Sequence, residues 1–163
     1  MGMGNKKIIS FFLFSALDLL LIFFLLLIVQ NYQCQNCKAG DSKNTWQVCF
    51  QQNCFKVEIA NDNFERAQGL MNRGKLDQDK GMLFIFDQEG FYPFWMKNTL
   101  IPLDIIWLNQ EQKVVYIKKQ AEPCGQEICL PIIPMGDANY VLEINGGLAD
   151  KINLKIGGEL IFK

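Results

Sequence analysis

The stretch Phe55-Lys56-Val57-Glu58-Ile59-Ala60-Asn61-Asp62-Asn63-Phe64-Glu65-Arg66-Ala67-Gln68 changes its period in the middle. Phe55, Val57 and Ile59 alternate with Lys56 and Glu58, the two-residue period of a half-buried strand. Asp62 then offers a side-chain acceptor to a helix N-terminus, and Glu65 three residues later completes a capping box. Phe64, Ala67, Gln68 and Met71 mark a short helix, which Asn72-Arg73-Gly74 ends.

Downstream, only the strand half of this pattern recurs. Residues 82–86, 94–96, 103–108, 113–117, 140–144 and 159–162 are short, rich in β-branched or aromatic residues, and separated by turn residues. Asn109-Gln110-Glu111-Gln112 reads as a hairpin loop. Gly146-Gly147 precedes one helical turn over 148–151, and Gly157-Gly158 precedes the last strand. Heptads, helical repeats and low-complexity tracts are absent. The expectation is a mainly β domain over residues 46–163, a compact β-sandwich or barrel with one or two short helices.

Upstream, residues 30–45 are polar, carry Gly40, Asp41, Ser42 and Asn44, and read as a linker. Residues 8–29 are apolar apart from Ser10, Ser15 and Asp18. At 1.5 Å per residue they span about 33 Å, enough for a hydrocarbon core of about 30 Å. Asp18 costs roughly 3 kcal/mol at a bilayer centre, whereas Leu, Ile, Phe and Val together gain roughly 5–11 kcal/mol. A single transmembrane anchor is therefore expected. A cleavable signal peptide has a shorter apolar region and small residues at its cleavage site, and Gln30-Asn31-Tyr32-Gln33 does not supply them. Asp18 is read either as a partner for another helix or as a tolerated protonated acid. Lys6 and Lys7 precede the run, so the positive-inside rule places residues 1–7 in the cytoplasm and the domain outside it, periplasmic or on the cell surface.

Charge narrows the function classes. The chain has 16 basic and 17 acidic residues. Removing Lys6, Lys7 and Asp18 leaves 14 and 16, a net of −2, so no basic surplus exists to neutralise nucleic-acid phosphates. There is no His, which excludes His-based triads, metal sites and proton shuttles. Ser occurs only at positions 10, 15 and 42, which argues against a serine-nucleophile hydrolase.

Cys34, Cys37, Cys49, Cys54, Cys124 and Cys129 follow the apolar run. An even count in an oxidising compartment reads as disulfides. Cys124 and Cys129 bracket a short Gly-containing loop and form the leading pair; Cys49 and Cys54, across Gln51-Gln52-Asn53, form the next. The alternative is a four-thiolate zinc ribbon from Cys34, Cys37, Cys49 and Cys54. Its second spacing is loose and its thiolates are out of place in an oxidising location, so no metal or other cofactor is expected. Cys34 and Cys37 as a redox pair lack a surrounding thioredoxin-like βαβ pattern.

From residue 55 to the end, about two thirds of the chain, the sequence resembles a widespread prokaryotic family, DUF192. The resemblance rests on Glu65-Arg66-Ala67-Gln68-Gly69-Leu70-Met71-Asn72-Arg73, on Gly81-Met82-Leu83-Phe84-Ile85-Phe86, and most specifically on Phe94-Trp95-Met96-Lys97-Asn98-Thr99-Leu100-Ile101-Pro102-Leu103-Asp104-Ile105. Tyr140-Val141-Leu142-Glu143 also fits, as does Gly157-Gly158-Glu159, where the family often has Gly-Asp. The resemblance implies a small, mostly β domain, often behind a signal or anchor segment, with no assigned activity.

Asp104 interrupts an apolar strand, and a carboxylate there is costly to bury unless it is paired or hydrogen-bonded. Lys97 and Arg73 are its candidate cations. A small-ligand pocket is expected from a Trp95 platform, donors on Arg73, Lys97 and Asn98, and Asp104 orienting them. The competing expectation is a structural ion pair, with Asp104 capping a turn and neutralising Lys97. Glu58, Asp104 and Glu143 could supply a two-carboxylate glycosidase only if they shared a face, which strand alternation argues against. Phe91, Tyr92, Phe94, Trp95 and Trp107 could form a sugar-binding stripe but suit packing better. Met71, Met82 and Met96 read as core. Three functions remain: a membrane-tethered domain binding a small ligand or envelope partner; a hydrolase or lyase on an envelope or carbohydrate substrate using Asp104 and Lys97; or a purely structural module.

Overall fold

The computed structural model of the chain describes residues 46–163. The expected anchor (8–29), linker (30–45), Cys34 and Cys37 lie outside the described residues. Among the described residues, no helix is long and apolar enough to cross a membrane.

Strand β1 (Trp46–Phe50) turns back into β2 (Asn53–Ala60), placing Cys49 opposite Cys54. Helix α1 (Asn63–Gln68) carries the chain over to β3 (Lys80–Gly90), which lies parallel to β2. Then come β4 (Leu103–Leu108), β5 (Val114–Ala121), β6 (Ala138–Asn145), the single helical turn α2 (Leu148–Lys151) and β7 (Ile161–Phe162). The strands form one sheet in the order β5-β4-β6-β3-β2-β1-β7. The chain end ties its two sides together. Val114 N donates to Gly158 O and Leu160 N to Gln112 O, at 2.8 and 3.0 Å, while Val48 pairs with Phe162. The domain is thus mainly β with two short helices, built as one curled seven-stranded half-barrel rather than two stacked sheets.

Both faces of the sheet are apolar, so both must be covered. One face carries Leu83, Ile106, Leu108, Leu142 and Ile144, and is covered by α2 together with Leu154 and Leu160. The other carries Met82, Phe84, Ile105, Trp107 and Val141. Its cover includes Leu70, Leu76, Met96, Phe94, Cys124 and Ile132, most of them in loops. Because opposed residues share a face, the row Glu58–Met82–Glu143–Ile105 points to this second, loop-covered side.

The capping box forms as the sequence predicts. Glu65 N donates to Asp62 Oδ1 at 2.7 Å and Asp62 N to Glu65 Oε2 at 3.4 Å. The helix ends earlier than expected, at Gly69, whose φ of 47° and ψ of −136° exclude other residues without strain. Residues 94–96 are not a strand. Phe94 makes a single bridge to Ile132, and residues 91–99, the lid, pack Phe94 and Met96 over the second face instead of extending the sheet edge.

A candidate ligand pocket around Glu143

The expected cluster of Arg73, Trp95, Lys97, Asn98 and Asp104 does not assemble around one point. Asp104 is 0% exposed, and its row pairs it with Ile144, on the face covered by α2. Its Oδ1 accepts from Gln120 N at 2.8 Å and Gly147 N at 3.0 Å, and its Oδ2 from Ala149 N at 2.7 Å. Each donor has a local reason to be free. Between the Leu103–Ala121 and Ile105–Lys118 pairs, β5 bulges, leaving two residues opposite one. Gly147 caps α2 without a side chain of its own. Asp104 therefore caps the turn, as one expectation held, but from across the sheet and without neutralising Lys97.

Arg73 pairs instead with Glu58 through two short bonds, 2.5 and 2.6 Å long, on the surface. The Arg73 guanidinium holds the Glu58 carboxyl below the usual carboxylate range. Lys97 stacks its ammonium over the Trp95 ring, 5.5 Å from the centroid. Asn98, at φ 55°, contributes its backbone: its N–H donates to Cys124 O at 3.0 Å and its carbonyl accepts from Asn72 N at 2.7 Å. Arg73, Lys97 and Asn98 thus sit on neighbouring segments that fasten the lid. Trp95 lines a cavity.

That cavity lies between α1 and the lid. It has a volume of about 230 Å³ and is lined by Asn63, Arg66, Phe86, Tyr92, Phe94 and Trp95, among others. Each wall has an anchor. Phe86 and Tyr92 stack 3.6 Å apart at 11°. Trp107, buried in β4, donates its indole N–H to Tyr92 O at 2.8 Å. Phe94 meets Phe84 edge-to-face at 4.8 Å. Arg66 crosses Phe86 and donates to Asn61 O, Ile85 O and Asn63 Oδ1, all within 2.8 Å. Three of its five N–H donors are thereby committed.

A separate, narrower recess of about 30 Å³ borders this cavity, sharing Arg66, Ala67, Phe94 and Trp95 with it, and is lined also by Gly69, Phe84, Thr99 and Glu143. Glu143 is 4% exposed. Burial pushes its carboxyl up to about 8, with no hydrogen-bond donor among the described residues to offset it. Gly69 keeps the recess open. A Cβ there would lie 3.3 Å from Phe84 Cζ and 4.0 Å from Glu143 Oε2. The two most motif-like stretches, 65–73 and 94–105, therefore converge on Glu143 rather than on Asp104. The signal was present in the sequence: Glu143 interrupts an apolar strand just as Asp104 does. Glu58 and Glu143 share a face, contrary to the alternation argument, but β3 runs between them and Glu58 faces solvent with Arg73.

Cys49–Cys54 and Cys124–Cys129 are disulfides. The first links the β1–β2 hairpin, so these two cysteines are not zinc ligands here. The second closes the loop that receives Asn98 N–H.

The model of the DUF192 family, described as "Uncharacterized ACR", matches residues 47–162. A crystal structure of a protein of unknown function from Novosphingobium aromaticivorans matches with a TM-score of 0.63 at 37% identity, covering 71% of this chain and 82% of that one. One from Sinorhizobium meliloti, described as a candidate transcription regulator, matches with a TM-score of 0.63 at 30% identity, over 72% and 91%. A curated relative, a UPF0127 protein from Thermococcus sibiricus, is 29% identical over 110 residues. The chain spans 64% of that relative's length.

Proposed function

The chain belongs to the DUF192 family, and from the site it carries we propose that it is a membrane-tethered, extracytoplasmic domain that binds a small ligand between α1 and the 91–99 lid. One observation carries the reading: a carboxyl 4% exposed, with no hydrogen-bond donor among the described residues, lining a recess that borders an aromatic-walled cavity. Such a group costs stability unless something offsets it, and a ligand's donor is one such partner. Aromatic walls with a few convergent polar groups are the ordinary make-up of a small-molecule site. The apolar run at 8–29 and the two disulfides support the tethered, oxidising location.

The test is a thermal-shift screen of the full-length chain against sugars, amines, carboxylates, phosphates, nucleotides and metals. A ligand at a hundred times its Kd adds about 2.7 kcal/mol, a shift of several degrees. Trp95, 48% exposed, can be replaced by Ala with little loss of fold. A hit abolished in Trp95→Ala places the ligand in this cavity. Hits indifferent to Trp95→Ala, or none at all, sink the reading. The tether is tested separately, by protease accessibility of the domain in spheroplasts; protection from added protease would put the domain on the cytoplasmic side.

A hydrolase or lyase is the second reading, with Glu143 replacing Asp104 as the proton donor. A carboxyl raised toward neutrality suits a general acid. A screen hit that is cleaved by the wild-type chain and left intact by Glu143→Gln would establish it.

A further inference from the structure

We propose that the Glu143 recess takes the primary ammonium group of a ligand whose ring or short apolar body lies in the wider aromatic cavity. The inference deepens the ligand-binding reading and rests on it.

Size is the first argument. A recess of about 30 Å³ has room for one or two water-sized groups, since about 10–15 Å³ suffices for one water. An ammonium is of that size and brings three N–H donors, whereas a trimethylammonium is bulkier and has none. Chemistry is the second. The recess is lined by three aromatic rings, Phe84, Phe94 and Trp95, together with one carboxyl. Rings attract cations to their faces, and a carboxylate forms its strongest hydrogen bonds with a cationic donor. Trp95 already draws the Lys97 ammonium to one ring face. Anions are disfavoured for the same reasons. The other charged lining residue is Arg66, which spends three of its donors on Asn61, Ile85 and Asn63 and so has few left for an anion.

Binding then carries a proton balance. The ligand arrives as R–NH3⁺ and meets Glu143 as a neutral acid. The acid releases its proton to solvent, and the ammonium donates to the carboxylate left behind. Below the pKa of the empty site, affinity falls tenfold for each unit of pH. The groups facing Glu143 are Arg66 from α1 and Thr99 from the lid, with Lys97 above Trp95.

The probe is phenethylamine, with 2-phenylethanol and the N,N,N-trimethyl derivative as matched controls. It is titrated into the full-length chain in lipid nanodiscs, with empty nanodiscs as the blank. Amide NMR signals locate the binding, and calorimetry in two buffers of different protonation enthalpy counts protons. Phenethylamine should shift Gly69, Trp95 and Thr99, release nearly one proton at pH 7 and almost none, net, at pH 9. Both controls should bind at least tenfold more weakly. Glu143→Gln, checked for folding by its thermal transition, should lose at least tenfold in phenethylamine affinity. If 2-phenylethanol binds there equally well without proton release, the ammonium inference falls and the pocket stands. The ammonium inference falls likewise, and the pocket again stands, if a neutral compound shifts those signals and phenethylamine does not. If no compound of the thermal-shift screen moves those signals, both fall.

Discussion

Asp104 and Glu143 are neighbours on adjacent strands, one register step apart, on opposite faces of the sheet. Both are almost wholly buried. They differ in what meets them. Asp104 receives three backbone N–H groups, from the β5 bulge and the start of α2. Glu143 meets aromatic rings and a recess. A buried carboxylate that accepts several backbone donors is stabilised by the fold; one left without donors is held in its neutral form by burial, and on our proposal it receives its donor from a ligand. Glu58 supplies the surface reference, on the same face as Glu143 but in solvent and held by Arg73.

The largest effect is expected on the structural side. Asp104→Ala strands three N–H groups, one buried and two part-buried, at up to about 1–3 kcal/mol each. A loss of at least about 3 kcal/mol is expected in chemical denaturation, a large share of a total of roughly 5–15 kcal/mol. A change below about 1 kcal/mol would dissolve the contrast between the two faces.

Glu143 should show itself through pH. Its folded-state pKa is raised from 4.5 to about 8, so between those values the folded chain holds a proton that the unfolded chain has lost. Its contribution to stability is full below pH 4.5 and is lost as pH rises to about 8. At roughly 1.4 kcal/mol per pH unit, the loss is of order 3–5 kcal/mol. Glu143→Gln should flatten that slope and raise Tm at pH 9. Equal slopes in the two proteins would mean that the carboxyl is already satisfied.

This contrast also explains how far the sequence could be read. The β2–α1 switch, the capping box, the 103–108 strand and the two disulfides were legible because each depends on local periodicity or short spacing. Asp104 reads correctly as a buried carboxylate needing partners, but its donors lie 16, 43 and 45 residues away, so no local pattern names them. Arg73, one of the cations expected beside it, sits by Glu58 because the β2–β3 crossover brings residues 72–73 back over β2. Glu143 carries the same signal as Asp104. Only the sheet register shows that its face is roofed by loops instead of a helix. Of the sandwich and the barrel that the pattern allows, the curled sheet is nearer the barrel; the two could not be separated because a loop-covered face reads in sequence just like a face covered by a second sheet.

Gly69→Ala sharpens the Glu143 side without touching the carboxyl. The backbone there suits Gly alone, so about 1–3 kcal/mol of strain is expected in thermal unfolding. The new methyl would also press on Phe84 and narrow the way to Glu143 Oε2. Any ligand that depends on Glu143 should lose affinity more steeply in this variant than in Arg73→Ala. Ligand affinity unchanged in folded Gly69→Ala would mean that the recess is not the route to the carboxyl.

The smallest effect belongs to Glu58 and Arg73. The Arg73 side chain is 36% exposed and that of Glu58 52%, so water already solvates both charges. Pairs of this kind contribute roughly 0.2–1 kcal/mol even with good geometry. Arg73→Ala should therefore cost less than about 1 kcal/mol at pH 7. The lowered Glu58 pKa makes its contribution full above pH 4.5 and lost as pH falls through the folded value, the reverse of Glu143. Added salt should weaken it further. The two slopes have opposite signs and lie in different windows, below pH 4.5 for Glu58 and from 4.5 to about 8 for Glu143, so a denaturation series from pH 3 to 9 on wild type, Arg73→Ala and Glu143→Gln separates them in one data set. Were Arg73→Ala to cost several kcal/mol, or to abolish ligand binding, the surface pair would join the site, and the division between a structural carboxylate and a receptive one would have to be redrawn around Arg73.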